Sequence, residues 1–133
     1  MRWLGRRDYS CEELARRLSR RYRPDVVERV VAALQERGYL DDTRFVENYI
    51  TARRAKGFGP LRIQSELLRR GIGRRLAAES LRLHDEAWVA EARRAKNKKF
   101  GDGLPQAPQE RLKVQRFLAN RGFTDEQIHH CLR

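Results

Sequence analysis

Cysteine and histidine are scarce in this chain of 133 residues. Cys11 and Cys131 stand near opposite ends, which excludes a disulfide framework and a Cys-x-x-Cys metal knuckle. His129, His130 and Cys131 are adjacent, so on a helix they point about 100° apart and cannot converge on one metal ion. His84 has no partner in the sequence. No apolar run approaches the roughly 18–20 residues needed to span a bilayer. The start, Met1-Arg2-Trp3-Leu4-Gly5-Arg6-Arg7-Asp8, lacks the apolar stretch of a secretory signal. Gly57-Phe58-Gly59 has neither a strand before it nor a Gly-Lys-Ser/Thr ending, so it is no phosphate-binding loop. Asp41 and Asp42 sit where carboxylates cap a helix rather than work as a catalytic pair. No nucleophile has a plausible base. These absences lead to a reduced, cytoplasmic non-enzyme with no catalytic residue, metal or cofactor and no membrane partner.

Positive charge is what the chain has in excess. Lys and Arg number 30 against 18 Asp and Glu, for a net charge of +12, and charged residues make up 36% of the whole. That fits a helical protein with many solvated faces. An excess of this size points to nucleic acid or an acidic protein surface as partner, and says nothing about fold. Only Lys56, Lys96, Lys98, Lys99 and Lys113 are lysines. The arginine bias suits planar recognition of phosphate or carboxylate, and fits a biased genomic base composition as well.

Hydrophobic spacing and turn residues read as helix throughout, with no convincing strand. Ser10 and Glu13 form a capping box, with Tyr9 and Leu14 as its hydrophobic staple. Pro24 opens the next helix, carried by Val26, Val27, Val30, Val31 and Leu34 and stopped by Gly38, with Tyr39 and Leu40 folding back over its end. Asp41 or Asp42 caps a helix built on Phe45, Val46, Tyr49 and Ile50 that ends at Gly57. Pro60 begins another, with Leu61, Ile63, Leu67 and Leu68, ended by Gly71 and Ile72. A further helix covers about Arg74 to Leu83, and Asp85 caps a long one through Lys99. The stretch Phe100–Pro105 is a loop, Pro108 opens a helix stopped by Gly122, and a second capping box at Thr124 and Gln127 starts the last.

About nine helices result, and they fall into threes. Leu67-Leu68-Arg69-Arg70-Gly71-Ile72 returns as Leu118-Ala119-Asn120-Arg121-Gly122-Phe123, with Leu18-Ser19-Arg20-Arg21-Tyr22 as a shorter copy that lacks the glycine. Periods of this size imply a tandem helical array. The expected architecture is all-α: three three-helix repeats over residues 1–41, 42–84 and 85–133, forming an elongated, curved array.

The most specific string lies in the middle repeat. It reads Gly38-Tyr39-Leu40-Asp41-Asp42-Thr43-Arg44-Phe45, then Tyr49, Arg53, Lys56-Gly57-Phe58-Gly59-Pro60, Arg62-Ile63, Glu66-Leu67 and Arg70-Gly71-Ile72. Lys98-Lys99-Phe100-Gly101, Arg116-Phe117-Leu118 and Arg121-Gly122-Phe123 continue it, and Arg6-Arg7-Asp8-Tyr9-Ser10, Glu13-Leu14 and Leu18 precede it. The ordered string resembles the RecX family, bacterial regulatory proteins that modulate the RecA recombinase. The resemblance implies three tandem three-helix repeats. It further implies a protein that lodges in the groove of the RecA–DNA filament, inhibits ATP hydrolysis and strand exchange, and limits filament growth. Many weak contacts along such a filament would add through effective concentration.

Charge is spread unevenly over the repeats. Residues 1–43 carry ten basic and eight acidic side chains, while residues 44–86 and 87–133 each carry ten and five. Candidate contacts to RecA or DNA are therefore Arg53, Arg54, Lys56, Arg62, Arg69, Arg70, Arg74 and Arg75 in the second repeat. In the third they are Arg93, Arg94, Lys96, Lys98, Lys99, Arg111, Lys113, Arg116 and Arg121. Cations at helix carboxyl ends also serve the backbone dipole, which is the alternative role for Arg53, Arg69, Arg70 and Arg121. Five cations between 93 and 99 repel one another on an isolated helix, and an anionic partner would offset this. The aromatics fall on apolar phases or staple turns, as core side chains do. A monomer is expected, touching DNA weakly and without sequence preference. The competing reading is a stand-alone helix-turn-helix-like DNA-binding module, which would place one recognition helix in the major groove.

Overall fold

A computed structural model describes residues 9–133. The arginines and aspartate of the 6–8 segment, and the rest of residues 1–8, lie outside the described residues. All regular structure among the described residues is helical: α1 (Cys11–Leu18), α2 (Pro24–Glu36), α3 (Asp42–Ala55), α4 (Pro60–Arg69), α5 (Arg74–Leu81), α6 (Ala87–Phe100), α7 (Pro108–Arg121) and α8 (Asp125–Cys131). These eight begin and end at the sequence signals with few exceptions. α5 stops at Leu81, two residues before the expected end, where Arg82 takes a positive φ of 50°. Among the described residues α3–α5 and α6–α8 form two successive threes, and α1, α4 and α7 occupy equivalent places. Contacts divide the chain into two compact units, residues 9–49 with 67–80, and residues 50–66 with 81–133.

In the first unit, Ser10 caps α1 reciprocally. Its Oγ accepts from the Glu13 amide and its own amide donates to Glu13 Oε1, both at 3.1 Å. The staple closes a core of Tyr9, Leu14, Leu34 and Leu40, with Cys11, Leu18 and Val31 packed against it. Of the two residues expected over the end of α2, only Leu40 folds back. Both amides bond to the Leu34 carbonyl, yet Tyr39 is 56% exposed because consecutive side chains leave the turn in different directions. The two aspartates divide the capping work. Asp41 Oδ1 accepts from the Arg44 amide at the start of α3, while Asp42 Oδ1 accepts from the Cys11 amide at the start of α1.

The same unit brings the carboxyl end of α4 onto the amino end of α1. Ser10 Oγ donates to the Arg70 carbonyl at 2.6 Å, and the Arg70 guanidinium grips both oxygens of Glu13 at 2.8 and 3.1 Å. Arg70 also lies over the rings of Phe45 and Tyr49, 4.7 and 5.2 Å from their centroids.

In the second unit, the carboxyl end of α7 meets the amino end of α4 in the equivalent way. The Gly59 amide donates to the Arg121 carbonyl at 2.7 Å and the Leu61 amide to the Gly122 carbonyl at 2.8 Å. Orphan donors at one helix start thus satisfy orphan acceptors at another helix end. Gly122 turns out of α7 at φ +102°, and a Cβ on it would lie 2.6 Å from the Arg62 amide nitrogen. A Cβ on Gly59 would lie 2.5 Å from the Gly122 carbonyl carbon. Two chains of backbone meet here because neither carries a side chain. The helices α6, α7 and α8 enclose Trp88, Ala92, Val114, Leu118, Phe123, Ile128 and Cys131. The Trp88 indole N–H donates to the Leu81 carbonyl at 2.7 Å, and the capping-box residue Gln127 donates to the Leu83 carbonyl at 2.8 Å.

Two alanine substitutions separate close approach from conformation. Gly38 also has positive φ, but nothing lies within 4 Å of a Cβ placed on it. Gly38→Ala should cost about 1 kcal/mol in urea denaturation, the strain of a left-handed non-glycine residue. Gly122→Ala adds a clash with fixed backbone and should cost about 2 kcal/mol more. Equal losses would show that the α4–α7 junction yields easily.

Candidate functional site

The candidate cations separate by what already holds them. Arg53, on the last turn of α3, reaches both oxygens of Glu66 on α4 at 2.9 and 2.8 Å, and both side chains are largely buried. Arg62 joins them from one helical turn before Glu66, at 3.3 Å. Arg54 stacks 4.2 Å above the Trp88 ring, and Arg111 donates to the Leu132 carbonyl at 2.7 Å. With Arg70 on Glu13, these side chains do internal work. Removing one partner of such a half-buried pair strands the other charge.

Lys96 differs most from the expectation of a contact residue. It is only 3% exposed, and its ammonium donates to the carbonyls of Gly101 and Gly103 at 2.9 and 2.6 Å and to Asn97 Oδ1 at 3.0 Å. Lys96 is thus the peg on which the loop after α6 turns, and its charge is not offered to a partner. Trp88, Ala92 and Lys96 share one helical phase, and that spacing is the signal that could have found it.

The remaining candidates face water. In the first unit these are Arg69, Arg74 and Arg75, the last paired to Glu79 at 3.0 Å with both side chains exposed, a contact worth little. In the second unit Lys56, Arg93, Arg94, Lys98, Lys99, Lys113 and Arg116 are exposed. Arg94 pairs with Glu91 at 3.2 Å, and Arg93 donates to the His130 carbonyl at 3.3 Å.

Sequence reasoning missed how the α4–α7 junction gathers cations around rings. Phe58 has the guanidiniums of Arg53, Arg62 and Arg121 over it at 4.0, 4.2 and 5.1 Å from its centroid. Phe117 holds Lys99 and Arg121, each at 5.1 Å, with Phe100 edge-on at 5.5 Å. Each ring face attracts cations through its quadrupole. Beside Phe117 lies an open cavity of about 220 Å³ lined by Lys56, Gly57, Ala95, Lys98, Lys99 and Arg121.

Neither cysteine is reactive by position. Burial, then the neighbouring Asp42, pushes the Cys11 thiol up to about 11, and burial raises Cys131 against the opposing fields of Arg93 and Lys96. Both are neutral thiols at pH 7. Among the described residues no group of three His, Cys, Asp or Glu side chains could hold a metal ion, and no helix is long and apolar enough to cross a membrane.

Comparison with known proteins gives a consistent picture. The family models for the first, second and third three-helix domains of RecX match residues 1–34, 41–81 and 85–132. The chain is 40% identical over 144 aligned residues to the regulatory protein RecX of Escherichia coli strain K12 and to that of strain HS, covering all of this chain and 87% of each relative. Its fold matches the crystal structure of RecX from Lactobacillus salivarius with a TM-score of 0.85, at 18% identity, over 98% of this chain and 88% of that one.

The division of the cations has a direct test in stability. Lys96→Met leaves the Gly101 and Gly103 carbonyls without their donor and should lower stability by about 2 kcal/mol. Lys98→Met and Lys99→Met should each stay within about 0.5 kcal/mol of the parent. Chemical denaturation reads both, and a harmless Lys96→Met would return that residue to the free surface.

Proposed function

The chain belongs to the RecX family of regulatory proteins, and from that premise we propose that it binds the RecA–DNA filament and restrains RecA. Bound there, it slows ATP hydrolysis, filament growth and strand exchange, acting as a cytoplasmic, non-enzymatic monomer without metal or cofactor. The observation that carries this reading is the succession of all three RecX domain matches in order along one chain. Repeats over 1–41, 42–84 and 85–133 would then be its modules, and DNA a weak, sequence-independent second partner.

The division of cations supports a narrower set of contacts than charge alone suggests. Arg53, Arg70 and Lys96 are consumed by internal partners, and Arg54, Arg62, Arg111 and Arg121 are partly so. Contacts to the filament then fall to the exposed cations: Lys56, Arg93, Arg94, Lys98, Lys99, Lys113 and Arg116 in one unit, Arg69, Arg74 and Arg75 in the other. Exposed like charges set association rates and salt dependence without adding much to the fold.

At amounts well below that of RecA, the protein should slow single-strand-dependent ATP hydrolysis by RecA. Lys98→Glu/Lys99→Glu should relieve most of that inhibition while leaving the melting temperature within a few degrees of the parent. Unchanged hydrolysis with folded parent protein would overturn the proposal.

A further inference from the structure

Four cations meet at the small cavity beside Phe117: Lys56 just beyond α3, Lys98 and Lys99 on the last turn of α6, and Arg121 at the end of α7. They come from three separated segments, so their convergence is a product of the fold. Among the described residues no carboxylate lines the cavity. None of the four makes an ion pair among the described residues, whereas Arg53 and Arg70 are fully engaged with glutamates. The Phe117 ring holds Lys99 and Arg121 close together, and Arg121 is anchored by donating to the Lys56 carbonyl at 3.3 Å. Positive charge is thus concentrated and left uncompensated at one place.

We infer that this cavity is a seat for a phosphate of a nucleic-acid backbone, with the exposed Lys56, Lys98 and Lys99 as its ligands and Arg121, held on Phe117 and the Lys56 carbonyl, adding its charge from the wall. The choice of phosphate over carboxylate rests on residue type. Lysine is rare in this chain, yet three of its five lysines line this one cavity. An ammonium acts on phosphate as a point charge, whereas carboxylate is matched best by a free guanidinium fork. Among the described residues that line it, the one guanidinium, that of Arg121, is already turned onto aromatic rings and a carbonyl.

The choice of a chain of phosphates over a lone anion rests on what adjoins the cavity. Lys98 also lines a second, more open concavity with Ala90, Arg93, Arg94, Asn97 and Asp102, where three cations face one carboxylate. Arg94 precedes Lys98 by about one helical turn, roughly 6 Å along α6. Two cationic seats sharing one lysine suit successive phosphates of a single strand. The inference deepens the regulator reading by naming where the nucleic-acid part of the composite partner is held.

The test uses the full chain without RecA, so its outcome is separate from that of the ATPase assay. Binding of a fluorescein-labelled oligothymidylate is followed by anisotropy over a salt series. Lys98→Gln/Lys99→Gln should weaken binding about tenfold at low salt. It should also flatten the log–log salt dependence by about 1.4, two phosphates at roughly 0.7 each for single strands. Lys56→Gln should act in the same direction by about half. Arg20→Gln/Arg21→Gln removes the same charge from exposed residues elsewhere and should leave the slope unchanged. Equal losses in the two double variants would overturn the inference, reducing the site to net charge. So would full-strength binding of an oligothymidylate with uncharged methylphosphonate linkages, or equally effective competition by polyglutamate at matched charge.

Discussion

The structure depends on helix ends meeting across glycine. Where α7 runs out at Arg121-Gly122, its last carbonyls accept the amides of Gly59 and Leu61 at 2.7 and 2.8 Å. Those donors are orphans at the start of α4, and those acceptors are orphans at the end of α7, so one contact satisfies both sets. The approach is tight enough that a Cβ on either glycine would strike backbone. The first unit repeats the scheme with other atoms. There the Arg70 carbonyl accepts from Ser10 Oγ, and a Cβ on Gly71 would fall 2.6 Å from Glu12 Cβ. Each compact unit therefore forms around the place where one second helix receives the end of the next.

That constraint also decides what the cations do. An arginine immediately before the glycine turn is carried to a foreign helix start together with its carbonyl. At Arg70 a glutamate waits there, because Glu13 belongs to the capping box of α1, and the guanidinium is spent on it. At Arg121 no carboxylate of the described residues makes an ion pair, and the guanidinium settles on Phe58 and Phe117 beside Lys56 and Lys99. Equivalent positions in the repeat thus yield a structural ion pair in one place and an exposed cationic cavity in the other.

The helices were legible because their signals are local. Capping boxes at Ser10 and Thr124, prolines at Pro24, Pro60 and Pro108, and glycines at 38, 71 and 122 each act within a turn of where they stand. The repeat was legible for the same reason, since Arg-Gly followed by an apolar residue is a turn with a fixed geometry. Side-chain partners were not legible. Glu13 lies 57 residues from Arg70, and nothing near either predicts the pair. Arg53 read as a dipole-favoured terminal cation, yet Glu66 holds it. Lys96 read as part of a basic run, although its phase with Trp88 and Ala92 placed it inside. Charge counts registered how much positive charge there is, and only packing decided which of it is free.

Lysine footprinting on the filament tests the central claim most directly, because the chain carries five lysines and the account gives them different fates. Acetylation of the free protein, read by mass spectrometry, should modify Lys56, Lys98 and Lys99 readily and spare the buried Lys96. On the RecA–single-strand filament, modification of Lys56, Lys98 and Lys99 should fall several-fold. Labelling of all three at the free-protein rate, with the protein demonstrably bound, would contradict the account.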